Sequence, residues 1–111
     1  MQEGFDMNDW RLVIGKLNEI VKETSTATSQ GEKAGLFASA RILLSDLDAF
    51  VVGEVGGDTY AREKIGEAKW HIGAALDFDI DNGHPAEQHR AWAYGALNSL
   101  QSTLNKVPTD D

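Results

Sequence analysis

Hydrophobic residues recur at steps of three and four in four separate stretches of the chain. This spacing places apolar side chains on one stripe of a helix and predicts four amphipathic helices, over residues 9–24, 30–52, 59–77 and 85–106. The four stripes are, in order, Trp10, Val13, Ile14, Leu17, Ile20 and Val21; Phe37, Ala40, Leu43, Leu44, Leu47, Phe50 and Val51; Ala61, Ile65, Ala68, Ile72, Ala75 and Leu76; and His89, Ala93, Ala96, Leu97, Leu100 and Leu104. No stretch shows the sustained two-residue alternation of a strand.

Signals for helix ends agree with these four ranges. Ser29 and Glu32 have the spacing of a capping box at the start of the second helix. Gly53 favours the end of that helix, Asp58 is suited to cap the third, and Pro85 fits the first position of the fourth. Short connections favour antiparallel neighbours. The sequence therefore predicts an all-α protein, a single-domain antiparallel four-helix bundle over residues 1–111.

The charge balance narrows the set of partners. Eighteen acidic residues against ten basic ones give a net charge of −8, so no basic footprint for nucleic acid is expected. A basic protein surface is the better match for this charge. No apolar run is long enough to cross a membrane, and the N-terminus lacks the features of a secretory signal. We therefore expect a cytoplasmic protein without a membrane partner.

Cysteine and the common catalytic motifs are absent from the sequence. Without cysteine there can be no disulfide, thiolate nucleophile or iron–sulfur cluster. The chain also has no Gly-x-Ser-x-Gly elbow, no phosphate-binding glycine loop and no Glu-x-x-His helix motif. We expect a protein that is not an enzyme and carries no cofactor.

The segment between the third and fourth helices contains a candidate metal site. Asp77, Asp79 and Asp81 alternate ahead of Gly83, and alternating carboxylates before a glycine are typical of calcium-binding loops. The glycine comes one residue late, and Glu87 lies one residue before the position of the closing glutamate. The predicted ligands are Asp77, Asp79, Asp81 and Glu87. The alternative interpretation is that these residues make turns and helix caps.

Three histidines lie near the same segment. His84 and His89 are five residues apart, which does not place them on one helix face, and His71 comes near the end of the preceding helix. With Asp79, Asp81 and Glu87 they could bind a transition metal. Alternatively, His84 is an exposed cap and His89 is a partly buried residue bonded to a backbone carbonyl.

Aromatic residues at the edges of the stripes indicate a contact surface. Trp70 lies off the stripe of the third helix, near Glu63 and Glu67, and Trp92 and Tyr94 lie at opposite edges of the fourth. Large rigid rings anchor protein interfaces. These five residues are the predicted interaction site. The alternative is that the rings wedge between helices of the same bundle.

Glycines inside the helices also favour close contact. An interior helical glycine costs about 1 kcal/mol relative to alanine, and the predicted helices contain Gly15, Gly35, Gly66, Gly73 and Gly95. Such positions favour the approach of another backbone, from the bundle or from a second chain. The leading hypothesis is a non-enzymatic protein-interaction domain, such as an adaptor, an inhibitor or an immunity-type protein. Its partner would be another protein with a basic surface or a second copy. The alternative function is metal binding by the Asp77–Glu87 segment.

Overall fold

The computed structural model describes residues 9–54, 59–78 and 83–105. Over these ranges the chain forms four α-helices and no β-strand. The helices are α1 (Asp9–Glu23), α2 (Gln30–Glu54), α3 (Thr59–Ala75) and α4 (Ala86–Asn105). None of these four helices is long and apolar enough to cross a membrane.

The four helices form a closed antiparallel bundle. Helices α1 and α3 each pack against both α2 and α4. At one end of the bundle, Arg11 near the start of α1 donates to Asn105 Oδ1 at the end of α4, at 3.0 Å. At the other end, Lys33 near the start of α2 donates to Asp77 just after α3, at 3.1 Å. Neighbouring helices therefore run in opposite directions, and the predicted all-α four-helix bundle is confirmed.

The apolar stripes of all four helices meet in one core. Its largest fully buried side chains are Trp10, Ile14, Leu17, Val21, Leu44, Leu47, Val51, Ile72, Leu76, Leu97, Leu100 and His89. Burying one aliphatic side chain of this size contributes about 1.5–3 kcal/mol to folding. His89 is the one histidine in this set, and its position in the core sets the geometry of the site described below.

The start of α2 shows the capping box that the sequence predicts. Ser29 Oγ accepts a hydrogen bond from the Glu32 backbone N–H at 3.1 Å. In return, Glu32 Oε1 accepts from the backbone N–H groups of Thr28 (2.9 Å) and Ser29 (3.1 Å). These backbone donors, Thr28 first, hold the pKa of the Glu32 carboxyl below its ordinary value.

Helix α3 ends at Ala75, two residues before the predicted residue 77, because the chain turns at Asp77. Asp77 has a φ of 67°, in the left-handed region, and the Phe78 N–H donates to the Gly73 carbonyl at 2.8 Å. This is the Schellman arrangement, with aspartate in place of the usual glycine. Phe78 also stacks on Phe37 of α2, with ring centroids 5.4 Å apart. The end of α3 is thus joined to the start of α2.

Four of the five helical glycines named above do not lie against another helix of the bundle. A Cβ placed on Gly15, Gly35, Gly66 or Gly95 would meet no atom within 4 Å outside the helix's own adjacent backbone. The prediction that another backbone of the same bundle lies close to these four glycines is therefore wrong. Open space beside them leaves approach by a second chain as the remaining prediction.

Candidate binding site where α3 meets α4

Five ring side chains meet where the end of α3 lies beside the start of α4. We call them the histidine–tryptophan cluster: Trp70, His71, His84, His89 and Trp92. The first two come from the last turns of α3, His89 and Trp92 come from the first turns of α4, and His84 precedes that helix. Because α3 and α4 are antiparallel and joined by a short connection, residues near the joined ends must lie side by side.

Helices α3 and α4 pack against each other more extensively than any other pair. Much of their buried surface is alanine, including Ala61 and Ala68 in α3 and Ala93 and Ala96 in α4. Small side chains allow helix axes to approach closely. Near the α3–α4 connection, ring side chains lie beside the buried alanines that end α3, Ala74 and Ala75.

A hydrogen bond between two histidines lies at the centre of the cluster. His71 Nδ1 and His89 Nδ1 are 2.9 Å apart, and the rings are tilted by 34°. His89 is 1% exposed, whereas His71 is half-buried. In such a pair one Nδ1 carries the proton and donates while the other accepts, so the two rings are different tautomers. At Nδ1 of His89 the partner is therefore a second histidine, which the sequence analysis did not anticipate.

The positions of His71 and His89 relative to the α3–α4 connection predict that the two side chains meet. His71 lies about one turn before the end of α3, and His89 lies about one turn after the start of α4. Residues at equal distances from the connection of an antiparallel helix pair lie at the same level. Residue spacing within a single helix cannot predict such a pair, because the two histidines come from different helices.

Both tryptophans pack against the histidines, edge-on in every pair except Trp92–His71, whose rings are tilted by 43°. The Trp70 ring centroid lies 4.8 Å from that of His71 and 5.1 Å from that of His89. The Trp92 centroid lies 5.2 Å from His71, 4.9 Å from His84 and 5.4 Å from His89. Nevertheless Trp70 is 41% exposed and Trp92 is 39% exposed. The rings contact their own bundle on one side and solvent on the other.

A groove of about 410 Å³ adjoins the cluster between α3 and α4. It is lined by Lys64, Glu67 and His71 from α3 and by Ala91, Trp92, Gly95, Ala96 and Ser99 from α4. Lys64 donates to Glu67 Oε1 at 3.1 Å, and this hydrogen bond raises the pKa of Lys64. The groove therefore has an ion pair on one wall and an aromatic ring on the other.

The structure brings together three of the five predicted interaction residues. Trp70 and Trp92 lie in the cluster, and Glu67 lines the adjoining groove. Glu63 is exposed one turn before Glu67 on the Trp70 side of α3. Tyr94 is 36% exposed but lies two residues beyond Trp92, which places it on another side of α4.

The predicted metal ligands are only partly described. Asp79 and Asp81 lie outside the described residues. Asp77 forms an ion pair with Lys33 at 3.1 Å, and Glu87 is exposed in the first turn of α4. Among the residues that the structure describes, no three or more histidine, aspartate or glutamate side chains are grouped so as to hold a metal ion. Calcium binding by this segment stays a prediction.

A larger groove, of about 590 Å³, lies between α2 and α3. Arg41, Arg62 and Lys69 contribute to its lining together with the exposed Ile42. Arg62 donates to both carboxylate oxygens of Asp48, at 2.9 and 3.1 Å, in an exposed ion pair. This groove has no counterpart to the histidine–tryptophan cluster among its lining residues. We therefore place the candidate site at the cluster.

Comparison with known proteins returned no relative. No protein-family model matches the chain, and no curated protein or solved structure matches it significantly. A functional assignment must therefore come from the cluster and its surroundings.

Proposed function

We propose that this chain is a non-enzymatic protein-interaction domain that binds its partner through the tryptophan face. The tryptophan face comprises Trp70, Trp92 and the α3–α4 groove beside them. One observation carries the proposal: two tryptophans on neighbouring helices remain 41% and 39% exposed although both pack against the same pair of histidines. Tryptophan is among the residues that contribute most to binding energy at interfaces.

The histidines make these rings suitable anchors. Trp70 packs edge-on against His71 and His89, and Trp92 packs against all three histidines. A ring that is already fixed in the free protein loses little conformational freedom when a partner covers it. Burial of its exposed part then contributes more to affinity than burial of a mobile ring would.

Charge favours a partner with a basic surface. The chain carries a net charge of −8, and Glu63 and Glu67 lie on the Trp70 side of α3. Two copies with this charge repel each other, whereas a basic protein is attracted. We therefore favour a basic protein over a homodimer, in the manner of an adaptor, inhibitor or immunity-type protein acting in the cytoplasm.

The test is capture of partners from a lysate of the native host with the tagged chain and matched variants. Trp70→Ala and Trp92→Ala alter the tryptophan face, and Ile42→Ala is the control, since Ile42 is 63% exposed in the other groove. We expect one basic protein to be retained in stoichiometric amount by the wild type and by Ile42→Ala. With the purified partner, each tryptophan variant should lose about 2 kcal/mol, roughly 30-fold in Kd.

Three results would contradict this proposal. Loss of binding in Ile42→Ala alone would move the site to the α2–α3 groove. Affinity that does not weaken as salt concentration rises would remove the charge argument. Concentration-dependent dimerisation of the isolated chain, abolished by Trp70→Ala, would show that the tryptophan face binds a second copy instead.

A further inference from the structure

The histidine pair at the centre of the cluster places two metal-binding nitrogens close enough together to bind one metal ion. His71 Nδ1 and His89 Nδ1 are hydrogen-bond partners between α3 and α4, with 2.9 Å separating them. They come from two different helices, and burial of His89 fixes one of the two rings. Neutral imidazole nitrogen is a preferred ligand of copper, nickel and zinc.

The distance between the two nitrogens indicates a class of metal. Imidazole nitrogens bind transition metals at about 2.0–2.1 Å, so two of them at right angles are about 2.9 Å apart and two in a tetrahedron about 3.3 Å. The observed 2.9 Å is the ordinary length of the hydrogen bond that joins the two rings. It also equals the right-angle spacing, so a metal of right-angle geometry needs the smaller change in nitrogen separation. Square-planar and tetragonal sites are typical of Cu²⁺ and Ni²⁺, whereas Zn²⁺ prefers a tetrahedron.

We propose that His71 and His89 form a two-histidine site for a divalent metal ion of the Cu²⁺ and Ni²⁺ class, bound through both Nδ1 atoms. This inference does not rest on the proposed partner. Within the described ranges no third side chain completes the site, and water is the ligand proposed for the remaining coordination positions. The groove beside His71 gives the ion a path to the pair.

A metal ion can bind to the pair without a change in the charge of either imidazole ring. In the hydrogen-bonded pair, one ring carries its proton on Nδ1 and the other carries it on Nε2. On binding, the proton of the first ring moves from Nδ1 to Nε2. Both Nδ1 lone pairs then bind the metal, and both rings stay neutral. Two metal–nitrogen bonds replace one hydrogen bond, and no proton is released.

The fluorescence of Trp70 and Trp92 can report metal binding at the histidine pair. Their ring centroids lie 4.8 and 5.2 Å from the centroid of His71, so a paramagnetic ion held by His71 lies close to both. Trp10 lies near the start of α1, at the opposite end of the bundle, and is 1% exposed. Bound Cu²⁺ should therefore quench Trp70 and Trp92 strongly and leave a residual signal from Trp10.

The experiment titrates Cu²⁺ into the full chain at about pH 7.5, where imidazole is ordinarily neutral. Tryptophan fluorescence is followed, and electron paramagnetic resonance of the bound ion counts its nitrogen ligands. His71→Ala removes the more exposed partner of the pair. His84→Ala is the matched control, because it removes a ring of the same cluster outside the pair. Circular dichroism verifies that both variants fold, and His71→Gln replaces His71→Ala if that variant does not.

We expect saturable quenching at one ion per chain and two coupled nitrogens in the wild type and in His84→Ala. His71→Ala should weaken binding by more than about tenfold, since even loss of a residue behind a ligand costs 10–100-fold. Zn²⁺ should bind more weakly than Cu²⁺ and raise the melting temperature less. The proposal is overturned if quenching is not saturable, if His71→Ala binds like the wild type, or if His84→Ala weakens binding equally.

Discussion

The two ends of the bundle use tryptophan in opposite ways. At the end where α1 starts and α4 finishes, Trp10 is 1% exposed, and the Arg11 guanidinium lies 4.5 Å from the centre of its ring. At the end where α3 finishes and α4 starts, Trp70 and Trp92 are 41% and 39% exposed. One residue type completes the core at one end and forms a surface at the other.

The difference follows from the position of each ring relative to its stripe. Trp10 precedes Ile14 and Leu17 by four and seven residues, so it lies on the apolar face of α1 and enters the core. Trp70 comes two residues before Ile72, which turns it away from the buried face of α3. At the first end apolar burial holds the ring, whereas at the second end contacts with histidines hold it.

The largest expected effect is on the free energy of unfolding, and it tests the difference between the two ends directly. Trp10→Ala removes a fully buried ring and should cost about 3–5 kcal/mol of unfolding free energy. Trp70→Ala removes a partly exposed ring and should cost roughly 1 kcal/mol. Urea unfolding followed by circular dichroism measures both values.

Trp92→Ala serves as the second surface variant in that experiment. It should resemble Trp70→Ala, because both rings have nearly the same exposure and pack against the same histidines. If either surface variant is destabilised as much as Trp10→Ala, the tryptophan face is part of the core. The argument that it is kept for a partner would then fail.

The features predicted correctly from the sequence are those set by short-range spacing. Stripe positions at three- and four-residue steps defined the helices, and the Ser29–Glu32 spacing defined the capping box, because both depend only on the geometry of a single helix. The same geometry placed Trp70 and Trp92 at the edges of their stripes. Their exposure was thus anticipated, although the contact between them and the histidines was not.

The features that were missed depend on how helices are placed against one another. The His71–His89 pair requires a particular register of α3 against α4, and the Lys33–Asp77 ion pair requires α2 beside the end of α3. For a related reason, one of the two alternatives given for the glycines, close approach within the bundle, was wrong at Gly15, Gly35, Gly66 and Gly95. It read the cost of an interior glycine as a sign of close packing, whereas the space beside Gly66 and Gly95 is open.

The open space beside Gly15 and Gly95 predicts a change in stability of intermediate size when either is replaced. Gly15→Ala and Gly95→Ala should each stabilise the free domain by about 0.5–1 kcal/mol, because alanine favours helix and its Cβ meets no atom within 4 Å beyond the adjacent backbone of its own helix. Thermal unfolding measures the gain. A loss of stability in Gly95→Ala would show that another helix does approach that glycine.

The same pair of variants sharpens the proposal for the tryptophan face. Gly95 lines the groove beside Trp92, whereas Gly15 lies in α1. If a partner occupies the groove, Gly95→Ala should weaken binding while stabilising the free protein. Gly15→Ala should stabilise the protein and leave binding unchanged. Equal binding by both variants would place the partner outside the groove.

The smallest expected effect concerns the cap of α2, which lies at the same end as the tryptophan face. The pKa of Glu32 is lowered by the N–H donors of Thr28 and Ser29, so its charge stabilises the folded state above the ordinary carboxyl pKa of about 4.3. That contribution is lost as pH falls through the lowered pKa. Glu32→Gln should therefore melt below the wild type at neutral pH, and the gap should close on acidification below about pH 4.

Glu19→Gln, which removes one exposed charge from α1, is the control for this measurement. A constant gap between Glu32→Gln and the wild type at every pH would show that the carboxylate charge does not contribute. Tryptophan fluorescence of Glu32→Gln tests a further point. The hydrogen bonds of the cap join Thr28, Ser29 and Glu32 within one turn, so the emission of Trp70 and Trp92 at neutral pH should equal that of the wild type. A shifted emission would mean that this end of the bundle responds as one unit, and that the tryptophan face is sensitive to the start of α2.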